Sequence, residues 1–241
     1  MIDIYTLLHI GESHENFCED FLITEELIND RLLLAVMDGC TMGKESSFAS
    51  MLVGKILRKI VKERFFLNRS ETTLIEEQKA ILKSLFEYLR ESKNLLLLDK
   101  EEMLTTLILM IVDVKKSEGE VIVIGDGCVC INGKVTEFEQ DNKPDYLGYH
   151  LGENYEEWFL KQTQRIDFQY FNDISISTDG IWSFSHKIRN QHEFEPINYL
   201  LIDKSNHENK GMLANKLRKL TDELNNKPLD DLAIIRLIRN G

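Results

Sequence analysis

Leu33-Leu34-Ala35-Val36-Met37 is an unbroken apolar run that ends on Asp38 and Gly39. It reads as a buried strand that delivers a carboxylate at its tip, with Gly39 permitting a sharp change of direction. A carboxylate at the end of a rigid apolar strand cannot retreat into solvent, so it needs a partner, usually a cation. Three other places repeat the pattern: Val121 to Gly127 with Asp126, Ile174 to Gly180 with Asp179, and Asp230-Asp231 just before Leu232-Ala233-Ile234-Ile235. One Asp-Gly is an ordinary turn. Several acidic strand ends in one chain point to strands converging on a shared metal site.

Composition narrows the classes. The chain has 241 residues, 43% of them hydrophobic, enough for one sizeable core. With only 3 prolines and no Gly/Ser-rich tract there is no linker, so residues 1–241 read as a single domain. Acidic residues outnumber basic ones 41 to 29, for a net charge of −12. That argues against nucleic acid or an anionic membrane as partner. The 4 cysteines, Cys18, Cys40, Cys128 and Cys130, lack zinc-site spacing. Reduced, buried thiols suit a cytoplasmic protein. The N-terminus does not read as a signal peptide, and Leu104 to Val112 is too short to span a bilayer.

In chain order, Ile2 to Ile10 reads as a strand. Cys18-Glu19-Asp20 opens a second strand that turns at Asn29-Asp30 and returns as Leu32 to Met37. That pairing brings Glu19 and Asp20 near Asp38. After the loop Cys40 to Lys44, Phe48, Leu52, Ile56 and Ile60 mark one helix. Thr73 and Glu76 form the capping box of another, with Ile81, Leu82, Leu85, Phe86 and Leu89 on its apolar face. Strands follow at Leu104 to Val112 and Val121 to Gly125, then a hairpin around Asn132-Gly133. Glu139 to Tyr170 has no clear pattern, although its aromatics suggest that it packs down. Asp173 to Thr178 is a strand, Leu213, Leu217, Leu220 and Leu224 mark a late helix, and Leu232 to Ile238 is a last strand. Helices inserted between groups of antiparallel strands imply a layered α+β domain.

Oxygen-rich sites suit Mg²⁺ or Mn²⁺, and two such ions bridged by one carboxylate can activate a water for in-line attack on phosphorus. From the residues alone, Asp38 is the candidate bridge and Gly39 a carbonyl donor. Glu19, Asp179 and Asp230 are the candidate terminal ligands. No serine sits in a nucleophile elbow and no cysteine in a phosphate-cradling loop.

The motifs Cys18-Glu19-Asp20-Phe21, Ala35 to Gly39, Thr105-Thr106-Leu107, Ile124 to Gly127, Ser177 to Trp182 and Asp230 to Ala233 occur in the order found in the type-2C, metal-dependent Ser/Thr protein phosphatases. The chain resembles that family over essentially its whole length. The resemblance implies two antiparallel sheets packed as a sandwich, antiparallel helix pairs outside, and a two-metal site at one end. Carried over by position, Asp38 bridges both ions, Glu19 and the Gly39 carbonyl hold one, and Asp179 and Asp230 hold the other. Asp20 holds metal-bound waters, Asp126 with Asp179 can hold a third ion, and the Thr105-Thr106 motif is structural. The implied substrate is a phosphorylated protein, with a cognate Ser/Thr kinase as the opposing partner.

Two departures stand out. Ser13-His14 occupies the region where the family commonly has a phosphate-gripping arginine; His14 can donate one hydrogen bond to phosphate but cannot form a bidentate clamp. Cys40 replaces a histidine proposed to protonate the leaving group, and a thiol is a poor general acid for that step. These departures motivate two alternatives: a catalytically weak, phosphatase-like binding or regulatory module, and a small-molecule phosphohydrolase.

Overall fold

The computed structural model describes residues 2–43, 45–67, 72–140, 144–185 and 194–240. In chain order the elements are β1 (Ile2–His9), β2 (Phe21–Leu27), β3 (Arg31–Met37), α1 (Ser46–Leu67), α2 (Leu74–Leu96), β4 (Leu107–Asp113), β5 (Glu118–Ile124), β6 (Gly127–Ile131), β7 (Lys134–Phe138), α3 (Tyr155–Lys161), β8 (Arg165–Phe168), β9 (Asp173–Ser177), α4 (Met212–Arg218) and β10 (Leu232–Arg239). The strands form two five-stranded sheets, β1-β10-β9-β6-β7 and β2-β3-β4-β5-β8. Every pairing within them is antiparallel. The α+β sandwich expected from the sequence is the observed architecture.

The apolar run in β3 follows from its place in the layers. Leu34 and Val36 point into the space between the sheets, where they meet Ile108, Met110, Val121, Val129, Ile176, Ala233 and Ile235. Leu33, Ala35 and Met37 point the other way, into a core with Val53, Leu57 and Ile60 of α1 and Ile81, Leu85 and Phe86 of α2. A strand covered on both faces has no polar side to show. The capping box at Thr73 and Glu76 starts α2 as expected.

Across the other sheet the cover is lighter. Cys128, Cys130, Tyr5 and Leu7 pack against Leu200, Leu213, Leu217 and Leu220. The late helix is α-helical only to Arg218 and continues as a π-helical turn over Lys219–Glu223, with a second π turn at Asn198–Ile202. The buried Lys216 ammonium ties the two segments, donating to Tyr199 O at 2.8 Å and Asp203 Oδ1 at 2.6 Å. The expected helix pair is therefore long on one face and short on the other.

Some boundaries differ from expectation. β2 begins at Phe21, so Glu19 and Asp20 precede the strand. β4 begins at Leu107, and Thr105 makes only an isolated bridge to Gly39. The unassigned stretch from Glu139 to Tyr170 contains α3 and β8, elements of seven and four residues that are too short for periodicity to reveal. Lys44 and residues 141–143 and 186–193 of the expected loops lie outside the described residues. Among the described residues no helix is long and apolar enough to cross a membrane.

Candidate metal centre

β3, β5 and β9 end, and β10 begins, at the same edge of the sandwich. Their ends carry Asp38, Asp126, Asp179 and Asp230. Carboxylate oxygens of Asp38, Asp126 and Asp179 lie within 4.8 Å of one another. Because β2 pairs with β3 in the register Phe21↔Met37, Asp20 falls opposite Asp38. Asp20 is buried, and its Oδ2 accepts from the Thr178 hydroxyl at 2.6 Å.

The backbone is built to hold Asp38 still. Its N–H donates to Thr106 Oγ1 at 3.1 Å, and its carbonyl accepts from Thr106 N at 2.9 Å and Thr105 Oγ1 at 2.8 Å. The Thr105-Thr106 motif, expected to be structural, thus acts directly on Asp38. Gly39 was expected to permit a turn. Its role here is close approach: a Cβ at Gly39 would lie 2.2 Å from Ser46 O and 2.9 Å from Glu19 O. At Gly180, likewise, a Cβ would lie 1.8 Å from Asp231 O.

These acids strain against one another. Burial, and then the like charges of Asp20, Asp179 and Asp230, push the Asp38 carboxyl well above the usual carboxylate range. Burial does the same to Asp20, with Asp179 and Asp231 adding to it. Asp179 is pushed up to about 7 by burial and by Asp126 and Asp230. Asp126 is raised by burial, with Asp230 and Glu139 contributing. Clustered buried carboxylates require either shared protons or a cation. The donors are hard oxygens with no thiol or imidazole in the triad, a set that fits Mg²⁺ or Mn²⁺.

Glu19 and Asp230 flank this triad and are not members of it. Glu19 is buried; its Oε2 accepts from the Thr41 hydroxyl at 3.1 Å, and its carbonyl accepts from Gly39 N at 3.1 Å. Asp230 is half-exposed, and its N–H donates to Ser183 Oγ at 2.9 Å. His14 faces the same edge, with Nε2 3.9 Å from Asp230 Oδ1 and Nδ1 2.9 Å from Asp231 Oδ2. That second approach is close enough for strong charge attraction, although the ring N–H is not aligned on the oxygen. Burial alone would lower the His14 pKa; Asp231, Glu19 and Asp230 outweigh it and raise it overall.

Sequence reasoning missed the role of Asp231. Its buried carboxylate accepts from Gly11 N at 2.7 Å and from Glu19 N, tying the loop that carries His14 and Glu19 to the start of β10. The one signal was its place as the second residue of an Asp-Asp pair. Tyr146 was also missed as a neighbour of the centre. It packs with Cys40 and Leu104, and burial, the Cys40 thiol and the Asp38 charge all raise its hydroxyl.

The family model for protein phosphatase 2C matches residues 10–222. The chain belongs to the protein phosphatase 2C family. The class of enzyme expected from the motifs, a metal-dependent serine/threonine phosphatase, therefore stands with the family. Solved structures agree on the fold. The S. agalactiae serine/threonine phosphatase is 16% identical with a TM-score of 0.66, covering 100% of both chains. RsbX in complex with magnesium is 13% identical with a TM-score of 0.59, covering 99% of this chain and 96% of that one. A Bacillus subtilis SpoIIE structure, comprising the phosphatase domain and a fragment of the regulatory domain, is 15% identical with a TM-score of 0.62. This chain is covered to 99% and spans 63% of that SpoIIE chain. No curated protein matches. In this member of the protein phosphatase 2C family the carboxylate cluster is present, with His14 beside Asp230 and Asp231.

Proposed function

We propose that the chain is a Mg²⁺- or Mn²⁺-dependent phosphatase that removes phosphate from serine or threonine side chains of proteins. The observation that carries this reading is the convergence of Asp38, Asp126 and Asp179 within 4.8 Å, beside the buried Asp20. In this reading Asp38, Glu19 and the Gly39 carbonyl would hold one ion, and Asp38, Asp179 and Asp230 would hold a second. Asp126 with Asp179 offers a third, looser position. Ions held there would supply an activated water and charge neutralisation at the phosphoryl group.

The chain's own residues fix the geometry. Thr105 and Thr106 hold the Asp38 main chain, so its carboxylate is positioned before any ion binds. Asp20, anchored by Thr178, accepts hydrogen bonds from ordered waters. His14 offers a phosphoryl oxygen one charged hydrogen bond in place of a two-pronged arginine. The reaction implies a Ser/Thr kinase as the source of substrate, and the free thiols suit a reducing cytoplasm.

Asp38→Asn tests the reading. Loss of the bridge is expected to lower Mn²⁺-dependent hydrolysis of a phosphoserine peptide by about a thousandfold or more, the several kcal/mol that such ions supply. Retained hydrolysis in that variant would refute it. Tight Mn²⁺ binding by calorimetry with no turnover of any phosphorylated compound would instead favour the non-catalytic module.

A further inference from the structure

A cavity of about 370 Å³ opens beside the metal centre, lined by Asp126, Glu137, Phe138, Glu139, Asp179, Trp182 and Ser183. It shares Asp126 and Asp179 with the carboxylate triad, so a substrate whose phosphate sits at that triad has its neighbouring residues in or beside this space. An extended chain advances roughly 3.3 Å per residue, which puts one or two flanking side chains within the cavity.

The walls select for chemistry. All the charge in the lining is negative, and two of the four acids, Glu137 and Glu139, are exposed and outside the proposed ligand set. Among the described residues neither makes an ion pair. Glu139 lies close enough to Asp126 to help raise its pKa, so the acidic wall is continuous with the centre. The same lining includes Trp182, an indole that is 36% exposed, and the half-buried Phe138. A cavity lined by carboxylates and an indole suits a guanidinium or ammonium better than any neutral or acidic group.

We propose that this cavity is a subsite for an arginine or lysine flanking the phosphorylated residue, so that basic phosphopeptides are the favoured substrates. The inference rests on the phosphatase reading and names the substrate class of the same site.

Three phosphoserine peptides that differ only in carrying Arg, Ala or Glu next to the phosphoserine test it, assayed with Mn²⁺ beside para-nitrophenyl phosphate. The expected kcat/KM is about tenfold higher for the Arg peptide than for the Glu peptide, as two exposed charge pairs would give, and the gap narrows in high salt. In the double variant Glu137→Lys/Glu139→Lys the Arg-to-Glu ratio falls to one or inverts; being a ratio within one protein, it does not depend on how much enzyme is folded. Equal rates on the three peptides, with para-nitrophenyl phosphate still hydrolysed, overturn the subsite and leave the phosphatase reading intact. A ratio unmoved by the double variant also overturns it. No hydrolysis of any of the four compounds overturns the phosphatase reading, and the subsite with it.

Discussion

Asp231 and Asp38 are both strand-end carboxylates, yet they do opposite jobs. Asp231 accepts from the main-chain N–H groups of Gly11 and Glu19, has the His14 ring 2.9 Å away, and needs no metal ion. Asp38 sits among like charges and does. Asp231→Asn keeps the shape but turns one oxygen into an NH₂ group that confronts a main-chain N–H. The expected cost is about 1–3 kcal/mol in denaturant unfolding. Because Glu19 is carried on the same loop, Mn²⁺ affinity measured by calorimetry should fall with it, and unchanged affinity would separate the loop clasp from the metal centre. None of this was legible in Asp230-Asp231 as a sequence. A dipeptide does not say which carboxylate turns inward.

At the scale of elements, β3 and α2 behave as their sequences predict, because periodicity and capping are local. Thr73→Ala removes the N-cap of α2 and is expected to cost about 1 kcal/mol of stability. The cap lies by Arg31, whose guanidinium donates to Thr72 O, at the end of β3 away from Asp38. Phosphopeptide hydrolysis by that variant should therefore match the parent at temperatures where both are folded. Gly39→Ala is the contrasting case. The collision with Ser46 O and Glu19 O pushes the start of α1 and the loop carrying Glu19 away from Gly39, so hydrolysis should fall by tenfold or more even if the fold survives, as circular dichroism would show. α3 and β8 went unread for a physical reason: short elements owe their structure to the surface that they pack on. Trp158 and Phe159 of α3 are helical against Phe86 and Lys79 of α2.

Over the whole molecule, charge and metal are linked. Burial and mutual repulsion raise the pKa values of Asp38, Asp20 and Asp179, so without cations the folded chain favours protons on this cluster. A carboxylate raised on folding stabilises the protein fully below its unfolded pKa, near 4, and that contribution is lost as pH rises through the folded value. For Asp179 the window closes at about 7. In chelator, the melting temperature should thus be higher at pH 5 than at pH 8. Mn²⁺ should raise it more at pH 8, where the cation replaces protons already lost. A chelated protein equally stable at both pH values would argue against the crowded cluster.

What the sequence determined by itself was the layered α+β fold and the identity of the acids at the strand ends. Both are written in short-range terms: apolar runs without a polar face, period-3.6 stripes, Asp-Gly at the tips. Tertiary structure alone decided which acids share one space. It grouped Asp38, Asp126 and Asp179, left Glu19 and Asp230 on the flanks, and turned Asp231 into a clasp. Those assignments depend on sheet register and on main-chain contacts between segments more than two hundred residues apart, distances over which no local pattern carries information.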